Sequence, residues 1–454
     1  MYGMLERIIY SPNSPLRRLY WRLPDRMRFK LIGLVWGMIY LWRRRDWRWA
    51  GNYLSGTEYN FGIGERNLVS VVLPVYNQAK TLGKSIDSVL DQSYPHFEVI
   101  IVNDGSTDGT QHILEKYAYH PRITIIKQDN QRLPSALNRG FQKAKGEFFT
   151  WTSGDNLMHK EQLERQVTYL RNNRKVALVY GDFELIDDDD LLIQDAEAIY
   201  MRGEKCTGNV RPKHEPDRLN IGFENVVECC FMYRSFLPLL IGDYDPRLEG
   251  VEDYDYWIRM NNFFEVRHLG DSQPLYRYRV SQNSMSRRLK PRVSQLRRWL
   301  MKREKWLQRQ LRLPLSVAMD KKSMHLFEDI RPHKQVLPKI KCELFNHASL
   351  MPTCSFKPTL IHISSLNNDI IKYCKTSKRP LLCWVTPEDS LSSSLRGSLS
   401  QIDLIVSFGI TSLDSAKKVV CTQKVEDLYH LVRIFAASRI ASQKADEMEL
   451  LADF

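Results

Sequence analysis

The chain has 454 residues, enough for two or three domains, and its 43% hydrophobic and 26% charged content is ordinary globular usage, which excludes a disordered or fibrous chain. The net charge of +13 is concentrated in residues 17–48 and 287–312, the second of which holds a single acid, Glu304. Such local basic segments suit an anionic surface; they carry no recognisable nucleic-acid motif, so no nucleic-acid partner is expected.

Residues 1–67 read as a basic, Trp-rich extension that ends in a Gly-containing linker. Its apolar run, Leu31–Trp42, is shorter than the ~20 residues needed to span a bilayer. Flanking arginines and tryptophans suit a segment lying in the lipid interface, and equally a helix packed on the next domain. From Val69 the pattern changes. Val69–Leu73 is a short apolar run rich in β-branched residues, as in a buried parallel strand, and Pro74 is expected to stop its pairing before the polar turn Val75–Tyr76–Asn77. Leu82, Ile86, Val89 and Leu90 give a helix. Phe97–Val102 is a second strand, ending abruptly in NDGSTDG. This is a βαβ unit with its polar residues gathered at the strand ends, where open α/β sheets bind ligands.

Further along, Ile123–Lys127 is expected as a strand, Ser135–Lys145 as a helix and Gly146–Thr152 as a strand. His159–Asn172 is expected as a helix and Val176–Glu184 as one strand. Asp187–Asp190 reads as a hairpin tip, because consecutive Asp side chains diverge on a turn. Residues 204–222 are polar and Pro-interrupted, the pattern of a long loop. Ser294–Leu311 is a basic amphipathic helix with Leu296, Trp299, Leu300, Arg303, Leu307 and Leu311 along one stripe. Its expected place is the anionic leaflet, where each Lys or Arg contributes about 1 kcal/mol. Apolar runs between residues 336 and 422 are separated by polar segments, and Val425–Ser442 is expected as a final helix. They suggest a small Rossmann-like domain over 336–454. The eight cysteines lack CxxC spacing and read as free thiols in a reducing compartment.

The segments VSVVLPVYN, SVLDQSY and VIIVNDGSTDGT, then ITIIKQDNQRLPSALNRGFQKAKGEFFTWTSGDN and FMYRSFLPLLIGDYDPRLEGVEDYDYWIRM, resemble in that order the inverting family 2 glycosyltransferases. The resemblance covers about residues 69–285. It implies a GT-A nucleotide-diphospho-sugar transferase fold, a Rossmann-like mixed sheet flanked by helices, with the small α/β domain following at the C-terminus. Domain boundaries are then expected at 1–67, 68–286 (catalytic), 287–335 (basic helix and linker) and 336–454. Gln295, Arg298 and Trp299 also match the QxxRW signature of processive synthases, which we read as coincidence because the membrane helices of those enzymes are missing here.

Transfer from such a donor needs the nucleotide held, the leaving diphosphate's charge stabilised and the acceptor hydroxyl deprotonated. The resemblance assigns donor binding to Pro74, Val75, Tyr76 and Asn77, to Asp104 as the base-recognition aspartate, to Asn138, and to Ser153, Gly154, Asp155 and Asn156. The last four align with the family's DxD motif. Ser153 stands where its first aspartate is usual, so the expected divalent cation, Mg²⁺ or Mn²⁺, falls to Asp155. Ser281 and Gln282 stand where the family often supplies a histidine. The resemblance makes Asp253 the general base and Glu252 its helper; adjacent carboxylates raise one another's pKa, which the helix dipole opposes. The expected donor is a UDP-sugar or another nucleotide sugar. The expected acceptor is a cell-envelope polysaccharide or lipid-linked glycan, met at the cytoplasmic face of an anionic membrane. The alternative is a non-catalytic nucleotide-sugar-binding module with a degenerate metal site.

Overall fold

The computed structural model describes residues 63–193 continuously, residues 209–310 with short gaps, and beyond them six strands and scattered single positions. The run Leu31–Trp42, most of the loop 204–222, Gln282 and most of the expected helix Val425–Ser442 lie outside the described residues.

In chain order the first strands and helices are β1 (Glu65–Val75), α1 (Leu82–Leu90), β2 (Phe97–Asp104), α2 (Thr110–Glu115), β3 (Ile123–Gln128), α3 (Arg132–Phe141) and β4 (Gly146–Trp151). The short β5 (Leu157–Met158), α4 (Gln162–Asn172), β6 (Val176–Tyr180), β7 (Phe183–Ile186) and β8 (Asn209–Val210) follow. Then come β9 (Phe231–Arg234), α5 (Leu237–Ile241), α6 (Glu252–Asn261), β10 (Glu265–His268), β11 (Tyr276–Arg279) and α7 (Lys290–Gln310).

A seven-stranded mixed sheet runs β10-β6-β9-β4-β1-β2-β3, with β4, β1, β2 and β3 parallel and β9 antiparallel to its two neighbours. The period-two alternation of a strand divides its central side chains between two cores. Val72, Ile100 and Val102 face one side, under Ala136 and Leu137 of α3. Val69, Val71, Leu73, Val99 and Ile101 face the other, under Leu82, Ile86 and Val89 of α1 and Leu163, Val167 and Leu170 of α4. Burial on both faces is why these strands are apolar without alternation.

Pro74 does not stop β1. It pairs with Val102, and Val75 pairs with Asn103. The Val72 carbonyl accepts from the Thr152 N–H at 3.0 Å, so even-numbered residues of β1 turn their backbone groups toward β4. The ladder with β4 ends at Val72, and the N–H that Pro74 lacks is not needed there.

The single strand expected over Val176–Glu184 is two. The chain leaves the main sheet after Tyr180, turns at Gly181–Asp182 and enters a second, four-stranded sheet, β5-β11-β7-β8. The turn 187–190 closes a short hairpin whose arms meet at Ile186 and Leu192.

Beyond α7 a six-stranded parallel sheet runs β13-β12-β14-β15-β16-β17. Its strands are β12 (Leu315–Asp320), β13 (Ile340–Phe345), β14 (Thr359–His362), β15 (Leu381–Val385), β16 (Leu404–Phe408) and β17 (Val419–Thr422). The sheet begins ahead of residue 336, in the stretch read from sequence as linker. Trp384 and Val406 join Leu296, Leu300 and Leu307 of α7 in one continuous apolar cluster. That burial corrects the reading of α7 as a lipid-facing amphipathic helix, because its apolar stripe is core. Its exposed face carries Ser294, Gln295, Arg298 and Lys302. Among the described residues, no helix is long and apolar enough to cross a membrane.

Candidate active site

In the parallel part of the main sheet the chain runs outward from β1 to β2 and β3, then returns to place β4 on the other side of β1. The topological switch point therefore lies between the ends of β1 and β4, where α/β sheets open a crevice. Asn77 follows β1 and Asp155 follows β4, with Asp104 at the end of β2 beside them.

Val75 is buried, Tyr76 is 46% exposed, and Asn77 takes a positive φ of 53°. The Asn77 N–H donates to Ser106 Oγ at 3.0 Å, and its Oδ1 accepts from the Thr107 N–H at 2.8 Å. The ends of β1 and β2 are thus clasped together, leaving Tyr76 as the open side chain of the turn. Asp104 is buried, and its Oδ1 accepts from Gln128 Nε2 at 2.7 Å and from the Gln131 N–H at 2.8 Å. The helix after β2 is tied instead by Asp108, whose carboxylate accepts from the N–H groups of Thr110 and Ala79 at 2.9 and 3.1 Å.

The loop 153–156 is held from below by α1. Ser85 Oγ donates to the Ser153 carbonyl at 2.9 Å, and Thr81 Oγ1 donates to the Gly154 carbonyl at 2.9 Å. Gln78 Nε2 donates to Ser153 Oγ at 3.2 Å. A Cβ on Gly154 would stand 2.5 Å from Gln78 Oε1 and 3.0 Å from Val75 Cγ1, so only glycine lets the loop lie this close to β1. Asp155 Oδ1 is shut off from solvent and accepts no hydrogen bond. Burial pushes the Asp155 carboxyl above its ordinary pKa, and the nearby Ser153 hydroxyl and Arg279 guanidinium oppose the rise. An orphaned carboxylate oxygen at a strand end fits a hard divalent cation, which takes oxygen ligands and keeps waters and phosphates for its other positions. Among the described residues no group of three or more His, Cys, Asp and Glu side chains is arranged to hold a metal, so protein ligation here rests on few atoms.

Arg279, which sequence reasoning missed, organises this corner. Its N–H donates to Asn156 Oδ1 at 2.8 Å and its Nε to the Asp155 carbonyl at 2.8 Å. Its remaining guanidinium nitrogens reach the Asp187 carbonyl and the Asp190 carboxylate, which also pairs with Lys84. The acidic turn is thereby fastened to the Asp155 loop. Asn156, assigned to donor binding from the resemblance, is buried with its Oδ1 bonded to β11. Asn138 is anchored in a similar way. Its amide donates to the Tyr244 carbonyl at 2.8 Å and accepts from the Tyr244 N–H at 2.9 Å.

The segment carrying Glu252 and Asp253 opens α6, whose far side is deeply buried. Ring contacts run from Trp151 at the end of β4 to Phe231 at 5.8 Å, and on to Trp257 of α6 at 4.5 Å. This stack packs the helix beneath the strand that leads to Asp155. Glu252 Oε2 accepts from the Gly250 N–H at 2.5 Å. Burial, reinforced by the charge of Asp253, pushes its carboxyl up to about 8. Asp253 accepts from Asn225 Nδ2 at 3.1 Å and from the Tyr254 N–H at 2.6 Å. Burial raises its pKa as well, against the pull of those donors and of Arg297. Desolvation therefore outweighs the favourable field of the helix start for both acids. Asp255 is different, because Arg259 Nε holds its Oδ2 at 2.9 Å and Arg303 holds Oδ1. These guanidiniums overcome burial and keep it below the ordinary carboxylate range.

Residues 70–237 match the family model for glycosyl transferase family 2. A provisionally named glycosyltransferase, EpsE of Bacillus subtilis (strain 168), is 31% identical over 232 residues, covering 48% of this chain and 76% of that protein. The chain belongs to glycosyl transferase family 2. An uncharacterized glycosyltransferase of Rickettsia typhi (strain ATCC VR-144 / Wilmington) is 34% identical over 200 residues, 42% of this chain and 58% of that protein. The chain thus spans less than two thirds of the length of that relative. Among solved structures, Staphylococcus aureus TarS 1-349 in complex with UDP aligns at 20% identity and a TM-score of 0.37, covering 51% of this chain and 64% of that one.

Proposed function

We propose that this chain transfers a sugar from a nucleotide-diphosphate donor, a UDP-sugar first, to a cell-envelope polysaccharide or lipid-linked acceptor, with inversion at the anomeric carbon. The observation that supports the reading is the placement of Asp104 and the Asp155 loop at the carboxyl ends of the parallel strands, beside the switch point, with the Asp253 helix packed under β4. Pro74–Asn77 and Asp104 hold the nucleotide, Tyr76 offers it a ring face, and Ser153 and Gly154 line the diphosphate. Asp155 would hold a Mg²⁺ or Mn²⁺ ion, which would supply positive charge opposite the departing diphosphate. Asp253 takes the acceptor's proton from the side opposite the leaving group, and Glu252, neutral at pH 7, orients that hydroxyl as donor or acceptor.

Relatives support the acceptor class. TuaG of Bacillus subtilis (strain 168), provisionally named for teichuronic acid biosynthesis, is 36% identical over 124 residues, 27% of this chain and 49% of that protein. The exposed Arg298 and Lys302 of α7 fit peripheral contact with an anionic, cytoplasmic membrane face. Thermal-shift screening of nucleotide sugars with and without Mn²⁺ tests donor and metal together, and the anomeric configuration of the product tests inversion. Ser153, where the family carries an acid, favours one second reading, a non-catalytic nucleotide-sugar-binding module. A bound donor with no turnover on any glycan acceptor would establish it.

A further inference from the structure

We infer that Asn225 and Arg297 are positioning residues that hold the Asp253 carboxylate ionised and in place, the first from the loop before β9 and the second from α7. The inference deepens the reading of Asp253 as the base and rests on it.

The geometry begins with how α7 meets α6. Gly250, with φ of 91°, lies so close that a Cβ there would stand 3.0 Å from Val293 Cγ2 and 3.3 Å from Leu289 Cδ1. Farther along, the Arg297 guanidinium lies 5.7 Å from the Tyr254 ring centroid. Arg303 then pairs with Asp255, and Glu304 accepts from Asn262 Nδ2 at 3.0 Å. The basic helix therefore runs along the acidic helix with its contacts locked on both sides of Arg297. The Arg297 Nε is out of solvent and donates to no acceptor, so its charge is not committed to a hydrogen bond at that atom. From the other side, Asn225 donates to Asp253 Oδ2 at 3.1 Å and is itself fixed, its Oδ1 accepting from the Glu228 N–H at 3.3 Å. Glu228 sits at a positive φ of 54°, so this loop holds an unusual backbone where it meets the carboxylate.

Among the described residues, the charge of Asp253 also acts on Glu252 on its own helix, Cys229 on the Asn225 loop and Tyr244 after α5. Burial pushes all three upward, so each is neutral at pH 7. Arg297, packed on the ring of the adjacent Tyr254, brings a positive charge that lowers the Asp253 pKa, and Asn225 brings the directed donor. A carboxylate taken out of water stays ionised only with such help. Its ionised form is also the one a general base requires.

The test is a carboxyl titration of the full chain labelled with ¹³C at the Asp side-chain carboxyl, the Asp253 resonance being assigned by its loss in Asp253→Asn. Asn225→Ala and Arg297→Gln are each expected to move the Asp253 midpoint up by about 1 pH unit. Arg297→Lys keeps the charge and should stay near the wild-type midpoint. Arg298→Gln, which removes an equal but exposed charge, should not shift it. Asn225→Asp preserves shape and replaces the donor with an acid, so it should raise the midpoint furthest, and it serves if the alanine variant fails to fold. An unchanged midpoint in both Asn225→Ala and Arg297→Gln would overturn the inference. Failure of the base reading is a separate result: transfer would then survive in Asp253→Asn whatever the titration gives.

Discussion

The two halves of the candidate site are built in opposite ways. The donor half is made of strand ends and the loops that continue them, and its polar groups are fixed largely by neighbours in the same βαβ units. Asn77 closes on Ser106 and Thr107, Asp104 on Gln128 and Gln131, and Gln78 on Thr110. The base half is one helix whose acids are governed by distant segments. Asp253 answers to Asn225 and Arg297, Asp255 to Arg303, and Glu304 on α7 to Asn220 and Asn262. A binding crevice needs backbone shape, which short-range turns supply. Chemistry at a carboxylate needs a tuned protonation state, and that requires burial and charges brought from afar.

The largest effect expected to sharpen this contrast is at the base. Asp253→Asn should lower transfer by about 10²–10⁴-fold while leaving the donor-induced thermal shift intact. Assays of nucleotide diphosphate release beside thermal-shift titration check it, and equal loss of donor binding would break the division between halves.

Removing the structural acid of the same helix should act on stability instead. Asp255→Ala leaves Arg259 and Arg303 buried without their carboxylate, at a cost of about 3–5 kcal/mol in denaturant unfolding. Its pH signature has a definite sign. The native pKa of Asp255 lies below the ordinary carboxylate value, so its contribution is complete above the unfolded pKa and is lost as pH falls through the native one. The stability gap between wild type and Asp255→Asn should therefore close on acidification below the ordinary carboxylate range.

In the donor half the sensitive feature is close approach. A Cβ on Gly140 of α3 would stand 2.4 Å from Val72 Cγ1, so Gly140→Ala should overpack β1 against α3 and cost about 1–3 kcal/mol, read by chemical denaturation. Smallest is the turn before α2. Asp108→Ala frees the N–H groups of Thr110 and Ala79 and should cost about 1 kcal/mol, with transfer nearly unchanged. A large loss of transfer there would mean the clasp around Asn77 depends on it.

The strands β1 to β4 were legible because double-sided burial writes itself as unbroken apolar runs, and the polar residues after them stand out against that background. Five of the six C-terminal strands were visible for the same reason, whereas LSVAMD, β12, lacks a strong enough run. What misled was local reasoning about groups whose partners are remote. Pro74 looked like a strand breaker because its neighbour across the sheet was unknown. Asn138 and Asn156 aligned with a binding region, and their hydrogen bonds to Tyr244 and Arg279 could not be read from the local pattern. The apolar stripe on α7 looked the same whether it faced lipid or core, since both remove it from water.

By itself, then, the sequence determined the first strands and helices of the main sheet and the polar residues at their ends, since these follow from local periodicity and from motifs carried on single loops. Only the tertiary structure decided that Arg279 ties the acidic turn to Asp155, that α7 lies along α6, and that Asn225 donates to Asp253 while Arg297 packs on the adjacent Tyr254 ring. Those contacts join residues far apart in the chain, and the protonation of a buried carboxylate is fixed by whatever folding brings to it.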